Sequence, residues 1–207
     1  YRPFCKRIAS RYCESLRYYQ LLDNINYKIG MSSRDYADML SYCRPDITTA
    51  DKDAVIVAGG IRGCDMTYLD MLEQQHALRN IDVLALTLYP PTNGIEEVDY
   101  EMRSDHCLPR VEQVMYWARE RGKRVWVTSL GVSTDSTWVG VDEVSQGSMY
   151  ARGALVLGSL GVERVLFAQI QDNDPTYQVP ANCCGLLRVD GEPKASYFAL
   201  RGLNSVV

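Results

Sequence analysis

Apolar and polar positions along this chain follow two periods, and the switches between them divide it into strand–helix units. Tyr1–Glu14 has the spacing of the end of a helix. Leu16–Leu22 is rich in residues that suit a pleated surface and runs into the polar group Asp23, Asn24 and Asn26, which predicts a strand with a loop at its tip. Ser32 followed by Asp35 predicts a capped helix start, with Tyr36, Met39, Leu40 and Cys43 on one face and a stop at Pro45. Ala54–Ala58 is apolar on both faces, as buried parallel strands are, and Gly59–Gly63 follows as a turn. Asp65 caps the next helix, which ends near Asn80, and Ile81–Leu88 is another strand, ending at Tyr89 and Pro90. A long acidic loop, Thr92–Asp105, precedes a helix marked by Leu108, Val111, Met115 and Ala118 and closed by Arg121 and Gly122. Val125–Thr128 is the next strand. Asp142 then starts a helix expected to lay Val144, Ser148, Ala151 and Leu155 on one face, with Gly147 and Ala154 allowing close packing. Val162–Ala168 is a strand with a polar tip at Gln169–Asp174, and a last helix follows Pro193.

Strand and helix thus alternate at spacings of roughly 30 to 40 residues, the pattern of a parallel sheet with crossover helices. Two architectures compete: an open doubly wound sheet and a closed eight-stranded barrel. A full barrel takes about 250 residues, so a chain of 207 holds either a complete open sheet or about the last five units of a barrel. A net charge of −4 provides no basic footprint for nucleic acid, and the longest apolar run, Gly153–Val162, is too short to span a bilayer. None of the seven cysteines stands in a C-x-x-C pair, and neither histidine groups with them, which speaks against a zinc site; one or two disulfides stay open. Gly59–Gly63 lacks the Gly-Lys-Ser/Thr ending of a phosphate loop and reads as a plain turn.

The organising stretch is Lys123–Gly131, a basic pair, an apolar run and a polar tip at Thr128 and Ser129. In strand–helix barrels the chemistry sits at that end of the strand. Four stretches in order resemble the clan A glycoside hydrolases of the β-xylosidase and α-L-iduronidase type. That family's fourth strand ends like W-E-I/V-W-N-E-P-N, where this chain has Tyr19-Gln20-Leu21-Leu22-Asp23-Asn24-Ile25-Asn26. Its sixth ends like D-x-x-x-x-H-x-Y-P, matched by Asp82–Pro90. Its seventh reads K-P-x-W-x-T-E-x-G, matched by Lys123–Gly131, and its end is similar to Gly185–Ala199. The resemblance implies a single TIM-barrel domain of which residues 1–207 are the C-terminal part, with the first three strands outside these residues.

The departures fall on the catalytic positions. The acid/base glutamate of the family corresponds to Asn24, the nucleophile to Ser129 and the histidine after the sixth strand to Thr87. A retaining glycosidase needs two carboxyl groups about 5–5.5 Å apart; an asparagine cannot protonate a leaving group at neutral pH, and a serine without an adjacent base is a poor nucleophile. The expectation is therefore a non-catalytic, glycosidase-like protein that binds carbohydrate or serves as a scaffold with a protein partner, outside the cell or at its surface, with no cofactor or metal implied. Candidate ligand contacts are Asp23, Asn24, Asn26, Tyr89, Ser129, Trp138, Gln169 and Asp172, with Tyr89 and Trp138 as stacking platforms. Asp135 and Asp174 are further loop acids at the open face. The alternative is an active glycoside hydrolase with relocated carboxylates, Asp23 paired with Asp172 or Asp174.

Overall fold

The computed structural model describes residues 2–27, 31–90, 94–96, 106–135, 140–173 and 180–206. The order of elements is α1 (Arg2–Tyr12), β1 (Tyr18–Gln20), α2 (Ser33–Ala50), β2 (Val55–Val57), β3 (Ile61–Arg62), α3 (Met66–Gln74), β4 (Val83–Leu88), α4 (Leu108–Glu120), β5 (Arg124–Leu130), α5 (Glu143–Ser159), β6 (Arg164–Phe167), β7 (Gln169–Gln171), β8 (Gly185–Leu187) and α6 (Ala195–Asn204). The caps act as the sequence predicts. Ser32 Oγ accepts from the Asp35 N–H at 3.1 Å, Asp65 from Tyr68 at 2.9 Å, and Asp142 from Val144 and Ser145, both at 2.9 Å. Gly122, at φ +62°, turns the chain out of α4.

The main sheet is parallel, in the order β1-β2-β4-β5-β6, with β3 continuing alongside the upper half of β4. It is strongly curled. Tyr18 on β1 and Trp126 on β5 are three strand positions apart, which in a flat sheet is about 14 Å, yet their rings meet at 4.8 Å. The Arg164 guanidinium of β6 lies 4.6 Å over each ring and donates to the Tyr18 hydroxyl at 3.3 Å. Val57, Val83, Ala85 and Trp126 form a small apolar cluster on the concave side, while the large core lies between the convex side and the helices. A doubly wound sheet would carry helices on both faces; this one is a half-barrel, in the TIM-barrel manner.

Asp82, the acid that opens the sixth-strand motif, is a clasp between layers. Its carboxylate accepts a two-pronged bond from Arg44 on α2, both at 2.9 Å, and another from the Ile56 N–H at 2.8 Å. Burial by itself would push this carboxyl up. The Arg44 fork, the Ile56 amide and the charge of Lys123 outweigh it and hold the group below the usual carboxylate range.

Three expectations about elements need correction. The helix does not stop at Pro45: α2 runs through it to Ala50. Cys43 and Ile47, on either side of the proline, are both fully buried, and their packing outweighs a backbone bond whose loss costs on the order of 3 kcal/mol. Ile61 and Arg62 are not merely a turn but the short strand β3, paired with Leu86 and Thr87. In α5 the buried face is the opposite one: Val144 and Leu155 are exposed, while Gln146, Gly147, Tyr150, Gly153 and Leu157 face inward. A Cβ on Gly147 would sit 3.2 Å from the backbone of Ala195 and Ser196, so close docking of α6, rather than side-chain hydrophobicity, orients this helix.

Candidate functional site

The tips of β1, β4 and β5 converge at the C-terminal end of the sheet. The chain leaves β1 through Leu22 at φ +72° and Asn24 at φ +51°. The left-handed region suits an asparagine, but it is costly for leucine, and such strain collects where a loop is held for a purpose. This turn presents Asp23, whose Oδ2 accepts from the Asn24 amide at 2.9 Å and whose Oδ1 accepts from the Thr87 hydroxyl at 3.3 Å. Gly60 makes the approach possible: a Cβ there would lie 2.1 Å from Asp23 Oδ1 and 2.6 Å from Thr87 Oγ1. Gly59 does the same for the turn behind, where a Cβ would meet Ile25 Cγ2 at 2.5 Å and Leu21 O at 2.7 Å. The glycine pair therefore serves strand-to-loop packing.

Ser129 stands beside Thr87 in the β4–β5 ladder, after a bulge in which Thr128 is the extra residue. Such a bulge re-aims the side chains beyond it, here at the tip of the strand. Burial pushes the Tyr89 phenol up, with the nearby Ser129 side chain and the Arg62 charge acting in the opposite sense and Asp23 adding to the rise. The Tyr89 ring packs against Gly131, whose Cβ, if present, would be 2.3 Å from Tyr89 Cε1. The glycine that ends the Lys123–Gly131 motif is thus the seat of the tyrosine.

Asn26 turns away from this group. It donates to the Arg62 carbonyl at 3.1 Å and to Asp65 at 3.0 Å and accepts from the Arg62 N–H at 2.8 Å, tying the β1 loop to β3. Gln169 and Asp172 sit on the neighbouring β7 strip. Gln169 donates to the Asn182 carbonyl at 2.8 Å. Asp172 is paired with Lys194 at 2.6 Å, where the two side chains are 10% and 1% exposed, and it also accepts from the Gly185 N–H at 2.7 Å. Lys194 further donates to Thr134 at 2.8 Å and to the Cys183 carbonyl at 3.3 Å. Asp135 is not a solvated loop acid: it is buried and accepts from Ser133 Oγ at 2.6 Å. Trp138 and Asp174 lie outside the described residues.

Two residues at the site carry no signal in the motifs. The Arg62 guanidinium stacks 3.9 Å over the Tyr27 ring and lies 6.0 Å from Tyr89. His106 meets Tyr89 edge-on at 6.4 Å, and its Nδ1 accepts from the Tyr89 N–H at 3.1 Å. The sequence separates His106 from Tyr89 by a long loop, so only the fold brings them together. Among the described residues no three His, Cys, Asp or Glu side chains form a metal-holding group.

This half-barrel, with its polar cluster at the strand tips, matches a family 39 glycoside hydrolase from the gut symbiont Bacteroides cellulosilyticus with a TM-score of 0.81 at 17% identity, over 99% of this chain and 44% of that one. The fold is that of the glycoside hydrolase barrels. A family 39 β-xylosidase from Caulobacter crescentus matches at TM-score 0.70 and 14% identity, over 99% of this chain and 46% of that one. Xylanase 10B from Thermotoga petrophila matches at 0.65 and 12%, over 99% and 64%. The chain therefore spans between about two fifths and two thirds of the length of these glycoside hydrolases. No protein-family model and no curated protein sequence matches it. Within the glycosidase-like barrel, Asn24, Thr87 and Ser129 belong to one cluster with Asp23 and Tyr89, while Asn26, Gln169 and Asp172 are engaged in separate bonds around it.

Proposed function

We propose that this chain is part of a glycoside-hydrolase-like barrel that has given up hydrolysis and holds a carbohydrate, or a protein partner, at the tips of β1, β4 and β5, in an extracellular or cell-surface setting. One observation carries the reading. Ser129, at the position that the resemblance assigns to the nucleophile, is paired with Thr87 in the β4–β5 ladder and offers no carboxylate, and Asn24, at the acid/base position, gives its amide to Asp23. Asn24 and Tyr89 present amide and ring groups suited to sugar hydroxyls and a sugar face. Arg62, stacked on Tyr27, sets a planar donor beside them.

The alternative, catalysis by relocated carboxylates, finds less support. Asp172 is already committed to Lys194 and to the Gly185 amide. Both of its oxygens are thereby engaged, which leaves none free to serve as acid or nucleophile. Prolonged incubation of the purified protein with a mixed oligosaccharide panel, followed by mass spectrometry, tests the choice. The expected result is an unchanged panel with retention of at least one glycan, lost in Arg62→Ala and Asn24→Ala. Shorter products that vanish in Asp23→Asn would overturn the non-catalytic reading.

A further inference from the structure

Helix α1 buries little apolar surface. Its only buried residues among those described are Cys5 and Ala9, both small. It packs against α2 in an antiparallel register that two contacts define. The Arg2 guanidinium straddles Asp46 at 2.9 and 3.2 Å, and one turn further along α1, and one turn back along α2, Cys5 Sγ meets Cys43 Sγ at 3.6 Å. Both cysteines are buried. The ion pair is on the surface, where such pairs contribute only about 0–1 kcal/mol. A disulfide is about 2.05 Å long, so the two sulfurs need approach by only ~1.5 Å.

We infer that Cys5 and Cys43 are a disulfide-forming pair that fastens α1 to α2 when the chain folds in the presence of a thiol–disulfide oxidant such as glutathione disulfide. The chemistry balances as two exchanges. One cysteine thiolate attacks glutathione disulfide and releases a first glutathione thiol. The second thiolate attacks the protein sulfur of the mixed disulfide and releases the second. Two electrons pass from the cysteine pair to the oxidant, and the two thiol protons end on the two released glutathiones. Burial pushes the Cys43 thiol up, and the contact with Cys5 adds to the rise, so thiolate is scarce once the helices are docked. The bond forms as the helices come together and resists exchange afterwards. It closes a loop spanning the 38-residue separation of the two cysteines, which includes β1 and the turn that presents Asp23.

The test is refolding of the whole chain in a glutathione redox buffer and, in parallel, in excess reductant, followed by alkylation of free thiols, peptide mapping and thermal melting. The expected oxidised product carries two fewer alkylated cysteines, with Cys5 and Cys43 joined in one cross-linked peptide. Its melting temperature is higher than that of the reduced chain by about 5–15 °C. A Cys5→Ala/Cys43→Ala variant folds in both buffers and loses that redox dependence. Alkylation of all the cysteines after oxidation, or a cross-link joining a different pair, overturns the assignment. A Cys5–Cys43 cross-link with no change in melting overturns the fastening role.

Discussion

Gly60 shows how a single missing methylene group shapes the site. Nothing but hydrogen fits between β2 and the pair Asp23–Thr87, since a Cβ would come within 2.1 Å of a carboxylate oxygen and 2.6 Å of a hydroxyl. Gly60→Ala is expected to lower stability by about 1–3 kcal/mol, the usual cost of forcing volume into a packed place, and to displace Asp23 from Thr87. Urea denaturation measures the first effect, and weakened glycan retention the second. Gly131 plays the same part for Tyr89. Both glycines are plain in the sequence, but Gly59–Gly63 reads there as a plain turn, and the close approach to Asp23 and Thr87 has no local signature. The candidates Asn24, Thr87 and Ser129 were found by their place in motifs. Arg62 and His106 had no motif to mark them, because their part in the site comes from stacking on rings that lie far away in the chain.

Among the elements, one coupling between helix and sheet runs through Asp82, which joins α2 to β2 and β4. Its carboxyl is held below the ordinary range in the folded chain and returns to about 3.9 on unfolding. The depressed value means that the folded state favours the ionised form. The stabilisation is therefore complete above the unfolded pKa and is lost as pH falls through the folded one. Asp82→Asn is expected to cost about 2 kcal/mol near neutral pH. The gap between variant and parent should be constant above about pH 5 and close progressively below pH 4; chemical denaturation across that range checks it. A gap unchanged down to pH 2 would mean that the charge of Asp82 is not what the clasp uses. Element identities followed from period and caps: Ser32, Asp65 and Asp142 all cap the helices they precede. Pro45 and the face of α5 did not, because in both cases tertiary packing, around Ile47 and against α6, overrides the local preference.

At the scale of the molecule, the half-barrel is closed on its C-terminal side by the Asp172–Lys194 pair, which locks β7 and β8 to the start of α6 and to Thr134 after β5. Removing one member strands the other charge in a dry setting, so Lys194→Met is expected to cost about 3–5 kcal/mol. Adding Asp172→Asn should restore part of that, with a coupling free energy of at least about 1 kcal/mol in a double-mutant cycle of thermal or urea unfolding. Additive losses would show that the pair is not the lock. Lys194 lies in the Gly185–Ala199 stretch that resembles the family's end, and Asp172 reads in the sequence as a candidate ligand contact at a strand tip. That they neutralise one another depends on the β7–β8 pairing, which no local pattern encodes. The same division holds throughout. By itself the sequence determined the succession of parallel strands and helices, their caps, and the absence of carboxylates at Asn24 and Ser129, since these follow from periodicity and residue type within short windows. Only the tertiary structure decided that the sheet curls until Tyr18 meets Trp126, that Asp172 is spent on Lys194, and that Arg62 and His106 flank Tyr89. Each of these is a contact between residues distant in the chain, and its energy exists only once the intervening segments have packed.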